Sequence, residues 1–313
     1  MTDAASPPPP VDPTDEWLHP DGGDRWWNES WYFDFASPDG SIGGYARIGR
    51  YPNQGVVWYW AAIARPDEPL VLVREHEVVH PRHGGLEIRH EGLWADHHIE
   101  EPLDRWSLGL EAFAVTLDQP ADAFHGELGH RTALGFDLEW ETTGAPYPYP
   151  GVDRYEIPCR VHGEVLVGDE TITIDAPGER DHSWGSRDWW TFGWWWTTFH
   201  TPTHARHGMR LDHAGVDFHA GFVTPTGTRA TASEQETMGF TATEVLDDEQ
   251  LLEQATMTYG DEEWTVEPIA HAPVILVDDQ EGRVSRFSRC YARWTSPDGD
   301  TGTGWYERNL PQR

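Results

Sequence analysis

"GERDHSWGSRDWWTFGWWW", residues 178–196, places six tryptophans, two Arg-Asp pairs, a histidine and two serines in nineteen positions. From residue 190, strand alternation sends Trp190, Phe192, Trp194 and Trp196 to one side and Thr191, Gly193, Trp195, Thr197 and Phe199 to the other. One side is then almost wholly aromatic. A barrel core accounts for such indoles. So does a pocket wall, because a small barrel fills more closely with branched aliphatics, whereas stacked indoles leave room for a flat or elongated apolar ligand. Both readings stand at this point, and both require a strand in a curved antiparallel sheet.

The flanking sequence agrees. Upstream, SWYFDF (30–35), GYARIGRY (44–51), VVWYWAAIA (56–64) and LVLVREHEVV (70–79) are divided by the turns SPDG, PNQG and RPDEP, which reads as a β-meander. Strands are expected again at 85–95, 105–117 and 133–142, then at 155–167, 171–176, 215–227, 251–260, 285–294 and 304–310. TTGAPYPYPG (142–151) interrupts the series and marks a boundary. Helical periodicity is almost absent, with room for one short helix in the mixed stretch 231–255. The expected fold is all-β, two antiparallel β-barrels in tandem. Residues 1–25 form a disordered Pro-rich arm, 26–148 the first barrel and 149–313 the second, which carries the RDHSWGSRD motif.

Charge limits the partners. Against 54 acidic residues stand 22 basic ones, every one an arginine, for a formal net charge of −32. That surface suits hydration in concentrated salt, where self-repulsion is screened within ~3 Å. It implies a halophile's protein and excludes nucleic acid and anionic membrane, whose phosphates need Lys and Arg. Cys159 and Cys290 form neither a disulfide framework nor a CxxC pair. No signal peptide and no apolar run near ~18 residues is present, so the expectation is a cytoplasmic protein without membrane insertion.

The polar half of the opening stretch supplies the candidate chemistry. Arg180, Asp181, His182, Ser183, Arg187 and Asp188 lie between glycines, too dense for ordinary polar decoration. An Arg-Asp pair can simply lock a loop. Asp181, flanked by Arg180 and His182 and backed by indoles, reads equally as a proton donor or general base.

GERDHSWGSRDWW resembles the G-x-R-D-x-S-W-G-x-R signature of the superfamily that includes hydroxyneurosporene synthase (carotenoid hydratase) and AttH-like proteins. NESWYFDF…GGYARIGRYPNQG and GTGWYERN add to the resemblance, which spans about residues 28–310. It implies a tandem lipocalin-like (calycin-type) fold with a pocket for an apolar ligand. For some relatives it implies hydration or cyclisation of isoprenoid or polyene substrates.

Two function classes follow. In the first, an enzyme hydrates or isomerises an apolar isoprenoid- or polyketide-like molecule. Asp181 and His182 handle the proton, Arg187 and Asp188 orient the motif, and Trp184, Trp189, Trp190, Trp194, Trp196, Trp305 and Tyr306 line the site. In the second, a lipocalin-like carrier or sensor holds the same ligand without chemistry. Neither needs a cofactor or metal. HEVVH (76–80) matches the zinc-protease motif literally and makes a zinc metallohydrolase a minor third reading, but the β-branched context running into Pro81 predicts a strand where that motif needs a helix. The cluster His200, His204, His207, His213 and His219, like His97 and His98, reads first as polar decoration in a lysine-free chain, with a metal site as the alternative, although the spacing of a cupin motif is absent.

Overall fold

The computed structural model describes residues 10–81, 84–126, 128–213, 215–226 and 230–312. Most lie in antiparallel strands, and the helical segments among them are three 3-10 turns, Pro13–Glu16, Pro52–Gln54 and Pro120–Phe124. No described helix is long and apolar enough to cross a membrane.

The first sheet contains β1 (Trp27–Ala36), β2 (Gly43–Tyr51), β3 (Val56–Ala64), β4 (Leu70–Val79), β5 (Glu87–His90), β6 (Leu93–Glu101), β7 (Arg105–Leu117), β8 (His130–Thr142), β9 (Tyr147–Pro148), β10 (Arg154–Val167) and β11 (Glu170–Ser186). Its order is β4-β3-β2-β1-β11-β10-β8-β7-β6-β5, and pairing of β4 with β7 closes the first eight into a barrel. The second sheet contains β12 (Gly193–His200), β13 (His204–Asp212), β14 (His219–Pro225), β15 (Glu236–Thr237), β16 (Phe240–Leu246), β17 (Leu252–Tyr259), β18 (Glu262–His271), β19 (Val274–Asp278), β20 (Arg283–Thr295) and β21 (Thr301–Pro311). Its order is β15-β14-β13-β12-β21-β20-β18-β17-β16. This sheet curls until the Phe240 ring lies over Gly208, where a Cβ would stand 2.3 Å from it, so a glycine is what permits the approach. The fold is all-β, with two barrel-like antiparallel sheets.

Four expectations meet a different arrangement. The sheets change over between Ser186 and Gly193, not near residue 148, because β10 and β11 complete the first barrel: β11 pairs with β1 from Trp27↔Ser186 to Phe33↔Arg180. The Pro/Gly-rich stretch only reverses the chain, and its short β9 folds back on β10. The motif is therefore part of a 17-residue strand of the first barrel. Residues 10–25 are ordered, while residues 1–9 lie outside the described residues. The turn Pro13–Glu16 is capped by Asp12 and lowers Glu16 into the barrel. There Arg180 Nη1 (2.7 Å) and Tyr155 Oη (2.6 Å) donate to Oε1, and Trp106 Nε1 donates to Oε2. Burial works to raise the Glu16 carboxyl, but Arg180 and these hydrogen bonds hold it below its ordinary range. The helix expected in 231–255 is replaced by β15, β16 and β17, whose alternation of small or β-branched with polar residues prevails.

HEVVH lies on β4 and its end. Trp60 Nε1 donates to His76 Nε2 at 2.7 Å, and Arg50 Nε donates to His80 Nε2 at 3.2 Å. Burial holds the His76 imidazole well below its usual range, neutral and accepting. On a strand, positions four apart are ~13 Å apart, so the two histidines cannot share an ion as they would one helical turn apart.

Among the described residues the apolar interior forms three large clusters and a small fourth one of Tyr147, Tyr149, Ala220 and Phe222. Trp31, Phe33, Ile48 and Trp140 fill the first barrel, and Phe199, Met257, Trp264 and Tyr306 fill the second. A third cluster, including Tyr32, Tyr45, Trp60, Trp196, Phe287 and Trp305, occupies the space between them. Hydrogen bonds lock that junction: Trp305 Nε1 to Phe35 O (3.0 Å), Tyr45 Oη to Ala272 O (3.1 Å) and Arg289 Nη2 to Tyr32 Oη (2.6 Å).

Candidate functional site

Alternation along β11 decides which motif residues meet. Arg180 and His182 point into the first barrel, and Glu179 and Asp181 point out of it, toward the second. His182 Nε2 donates to Glu29 Oε1 (3.0 Å), which also accepts from His19 Nδ1 (2.8 Å), and its ring stacks on Trp31 at 4.3 Å. Burial works to raise Glu29, but these histidine hydrogen bonds hold it low. Asp181 belongs to a row across neighbouring strands, Glu156↔Asp181↔Tyr32↔Arg47↔Trp60 on β10, β11, β1, β2 and β3. A second row, Met209↔Trp196↔Glu307↔Arg289 on β13, β12, β21 and β20, faces it from the other barrel.

Beside Trp196 and Met209 of the second row lies an outer chamber of about 360 Å³, walled by Trp184, Trp189, Phe192, Trp194 and Trp196, with Tyr149, Arg154 and Met209 also at its surface. Indoles on several sides make it mostly apolar, as a pocket for a carbon skeleton requires, with Asp153, Arg154, Arg187 and Asp188 as its charged lining. Behind it is a smaller chamber that shares Arg154, Trp189, Trp194 and Trp196 and adds Asp181.

The polar groups at this junction are buried and linked. Arg154 donates from Nη2 to Asp181 Oδ2 (2.8 Å) and from Nε to Glu156 Oε1 (2.6 Å), which also accepts from Trp196 Nε1 (3.2 Å). Asp181 Oδ1 and Glu156 Oε2 are buried without a hydrogen-bond partner. Burial pushes Glu156 up to about 8 against the pull of Arg154 and His207, and it pushes Glu179 well above the usual range. Tyr149 Oη donates to His207 Nε2 (2.6 Å), and His207 Nδ1 donates to Glu179 Oε1 (2.7 Å). Burial lowers His207 to about 4, which leaves a neutral ring between a phenol and a carboxyl. This chain leads from the outer chamber to the interior, a geometry suited to passing a proton. Glu156, Glu179 and His207 also present ligand atoms close enough to share a metal ion, as do His19, Glu29 and His182.

The candidate residues therefore separate. Asp181 faces the inner chamber, whereas His182 is inside the first barrel, on the opposite face of the same strand. Arg187 borders the outer chamber and donates to Ser183 Oγ (2.8 Å), and burial lowers its guanidinium to about 10. Asp188 accepts two hydrogen bonds from Arg283 Nη1 (2.8 and 3.1 Å) and one from the Trp190 amide (3.0 Å), which lock the crossover at residues 187–192. Trp190 packs in the junction with Nε1 on Leu276 O (3.3 Å). Trp305 is buried farther along the junction and Tyr306 inside the second barrel, so neither lines the two chambers. Sequence reasoning did not single out Tyr149, Arg154, Glu156, Glu179 or Arg47, and it set His207 aside as decoration. The available signal was charge two positions apart in otherwise apolar strands, as in Arg154 and Glu156 of DRYEIP.

A model of the family described as Domain of unknown function (DUF7064) matches residues 12–312. No curated protein matches the sequence significantly. Among solved structures, a putative AttH from Nitrosomonas europaea is 13% identical with a TM-score of 0.66, over 97% of this chain and 98% of that one. Kievitone hydratase from Nectria haematococca is 7% identical with a TM-score of 0.60, over 91% and 89%. CghA, solved with Sch210972, is 11% identical with a TM-score of 0.51, over 94% and 93%. At these identities the likeness is one of fold, the tandem lipocalin-like arrangement that the motif resemblance implied.

Proposed function

The chain belongs to the DUF7064 family, and we propose that it binds an apolar isoprenoid- or polyketide-like small molecule between its two barrels and acts on it by acid–base chemistry. The observation that carries this reading is Asp181, which borders a cavity walled by Trp189, Trp194 and Trp196 and whose Oδ1 is a buried carboxyl oxygen without a partner. Arg154 fixes the other oxygen and so aims this one. Asp181 gives a proton to a double bond or removes one from an activated carbon. Indole faces stabilise positive charge that develops on the skeleton. Loss of a neighbouring proton then yields an isomer, and addition of water yields a hydrated product, with the proton returned to Asp181. The same fold in kievitone hydratase supports the hydration branch by analogy.

A second reading, a non-catalytic carrier, is favoured by the pairing of Arg154 with both Asp181 and Glu156, which suits a scaffold as well. Asp181→Asn separates the two. The ligand is the molecule retained by protein purified from its own host and identified by native mass spectrometry. For an enzyme, the substitution keeps melting temperature and affinity near wild type and lowers turnover by ~10² to 10⁴. A large loss of melting temperature with parallel loss of binding supports the carrier.

A further inference from the structure

The inner chamber, about 40 Å³, is lined by three arginines. Two have counter-charges there: Arg154 holds Glu156 and Asp181, and Arg289 holds Glu307. Arg47 differs. It is 4% exposed, and neither Nη1 nor Nη2 has a hydrogen-bond partner. Its guanidinium lies over the Trp60 ring at 4.5 Å and the Trp189 ring at 5.3 Å. Trp189 Nε1 and the Tyr51 hydroxyl also lack a partner of hydrogen-bond geometry, although Arg47 and Trp189 stand near enough to the Tyr51 oxygen to favour its ionised form against burial. A planar fork with unused donors, beside an unused indole N–H, is a costly arrangement to leave empty: cation–π contacts offset only part of burying a charge without a counter-ion.

We propose that the ligand carries a compact anionic oxygen head, a carboxylate or enolate, seated on Arg47 Nη1 and Nη2 and on Trp189 Nε1, with its apolar body in the outer chamber. This rests on the reading of the inter-barrel space as the ligand pocket. Arginine's two parallel donors match a two-oxygen head. At roughly 10–15 Å³ per water-sized group, the inner chamber takes about three such groups, enough for a carboxylate and too few for the tetrahedron of a phosphate ester. Asp181 borders the same chamber and so stands close to the carbon next to the head, where a carbonyl makes a C–H most acidic.

The test is calorimetric titration with a matched pair of probes sharing one apolar body, naphthalene-2-acetate and naphthalene-2-ethanol. Wild type is expected to bind the acid about tenfold or more tightly than the alcohol, the yield of one charge-assisted contact. Arg47→Met should bring the acid to the level of the alcohol and leave the alcohol unchanged. Trp189→Phe, which keeps a ring and removes the N–H, should narrow the preference by a smaller factor and serves if Arg47→Met does not fold. Equal affinities in wild type, or an acid preference that survives both substitutions, would overturn the assignment of the head while leaving the pocket in place. Binding of neither probe would remove the pocket reading itself, and this proposal with it.

Discussion

Glu156 shows how burial converts an ordinary acid into a group that titrates near neutrality. Its folded value of about 8 exceeds the unfolded value of ~4.3, so the folded state holds the proton more tightly and loses stability as pH rises through that interval. Glu179, raised by burial as well, acts with the same sign. His207, lowered to about 4, acts with the opposite sign, gaining stability as pH rises from about 4 to ~6.5. Above ~6.5 its ring is neutral in both states, and the carboxyls act alone. The melting temperature should therefore fall between pH 6.5 and 8, and Glu156→Gln should flatten that fall, with Glu179 and Asp34, both raised by burial, supplying the remainder. An unchanged slope in Glu156→Gln would mean that its carboxyl does not titrate in this window.

At the level of elements, β11 sorts neighbours in sequence into different jobs. Asp181 and His182 are adjacent, yet one faces the chambers and the other completes a buried hydrogen-bond set with Glu29, His19 and Tyr155. His182→Ala should cost about 2–4 kcal/mol of stability, because Glu29 loses a charge-assisted partner where water does not replace it, and should leave ligand affinity unchanged in the folded fraction. The measurement is denaturant unfolding alongside titration of the retained ligand. Loss of affinity at full stability would put His182 in the site after all. The strands around β11 were legible from period-two patterning and turn residues, as in SWYFDF, GYARIGRY and VVWYWAAIA. The continuation of TITIDA into GERDHSWGS was not, because the glycines at 178 and 185 read as turns. Gly178 is in fact a close approach: a Cβ there would stand 2.1 Å from the Asp34 carbonyl. Once the motif is seen as strand, period two alone separates Asp181 from His182.

On the scale of the whole molecule, the two barrel cores leave the proposed ligand pocket outside both of them. The two faces of β12 divide the roles of pocket wall and core. Trp194 and Trp196 border the chambers, while Trp195 and Phe199 pack with the second barrel's core. The pairing of barrels that creates this space depends on contacts more than 200 positions apart, such as Trp305 with Phe35 and Arg289 with Tyr32, and no local pattern encodes them. For the same reason Arg47 of β2 and Arg154 of β10 meet only after β11 and β1 have been laid between them. The most direct test of a ligand seated between the barrels is native mass spectrometry of wild type and Met209→Trp, each purified from the natural host. Met209 borders the outer chamber beside Trp196, and an indole there intrudes on the space a ligand would occupy. The account predicts a retained small molecule on wild type that is lost from a folded Met209→Trp; retention at wild-type stoichiometry in that variant would contradict it.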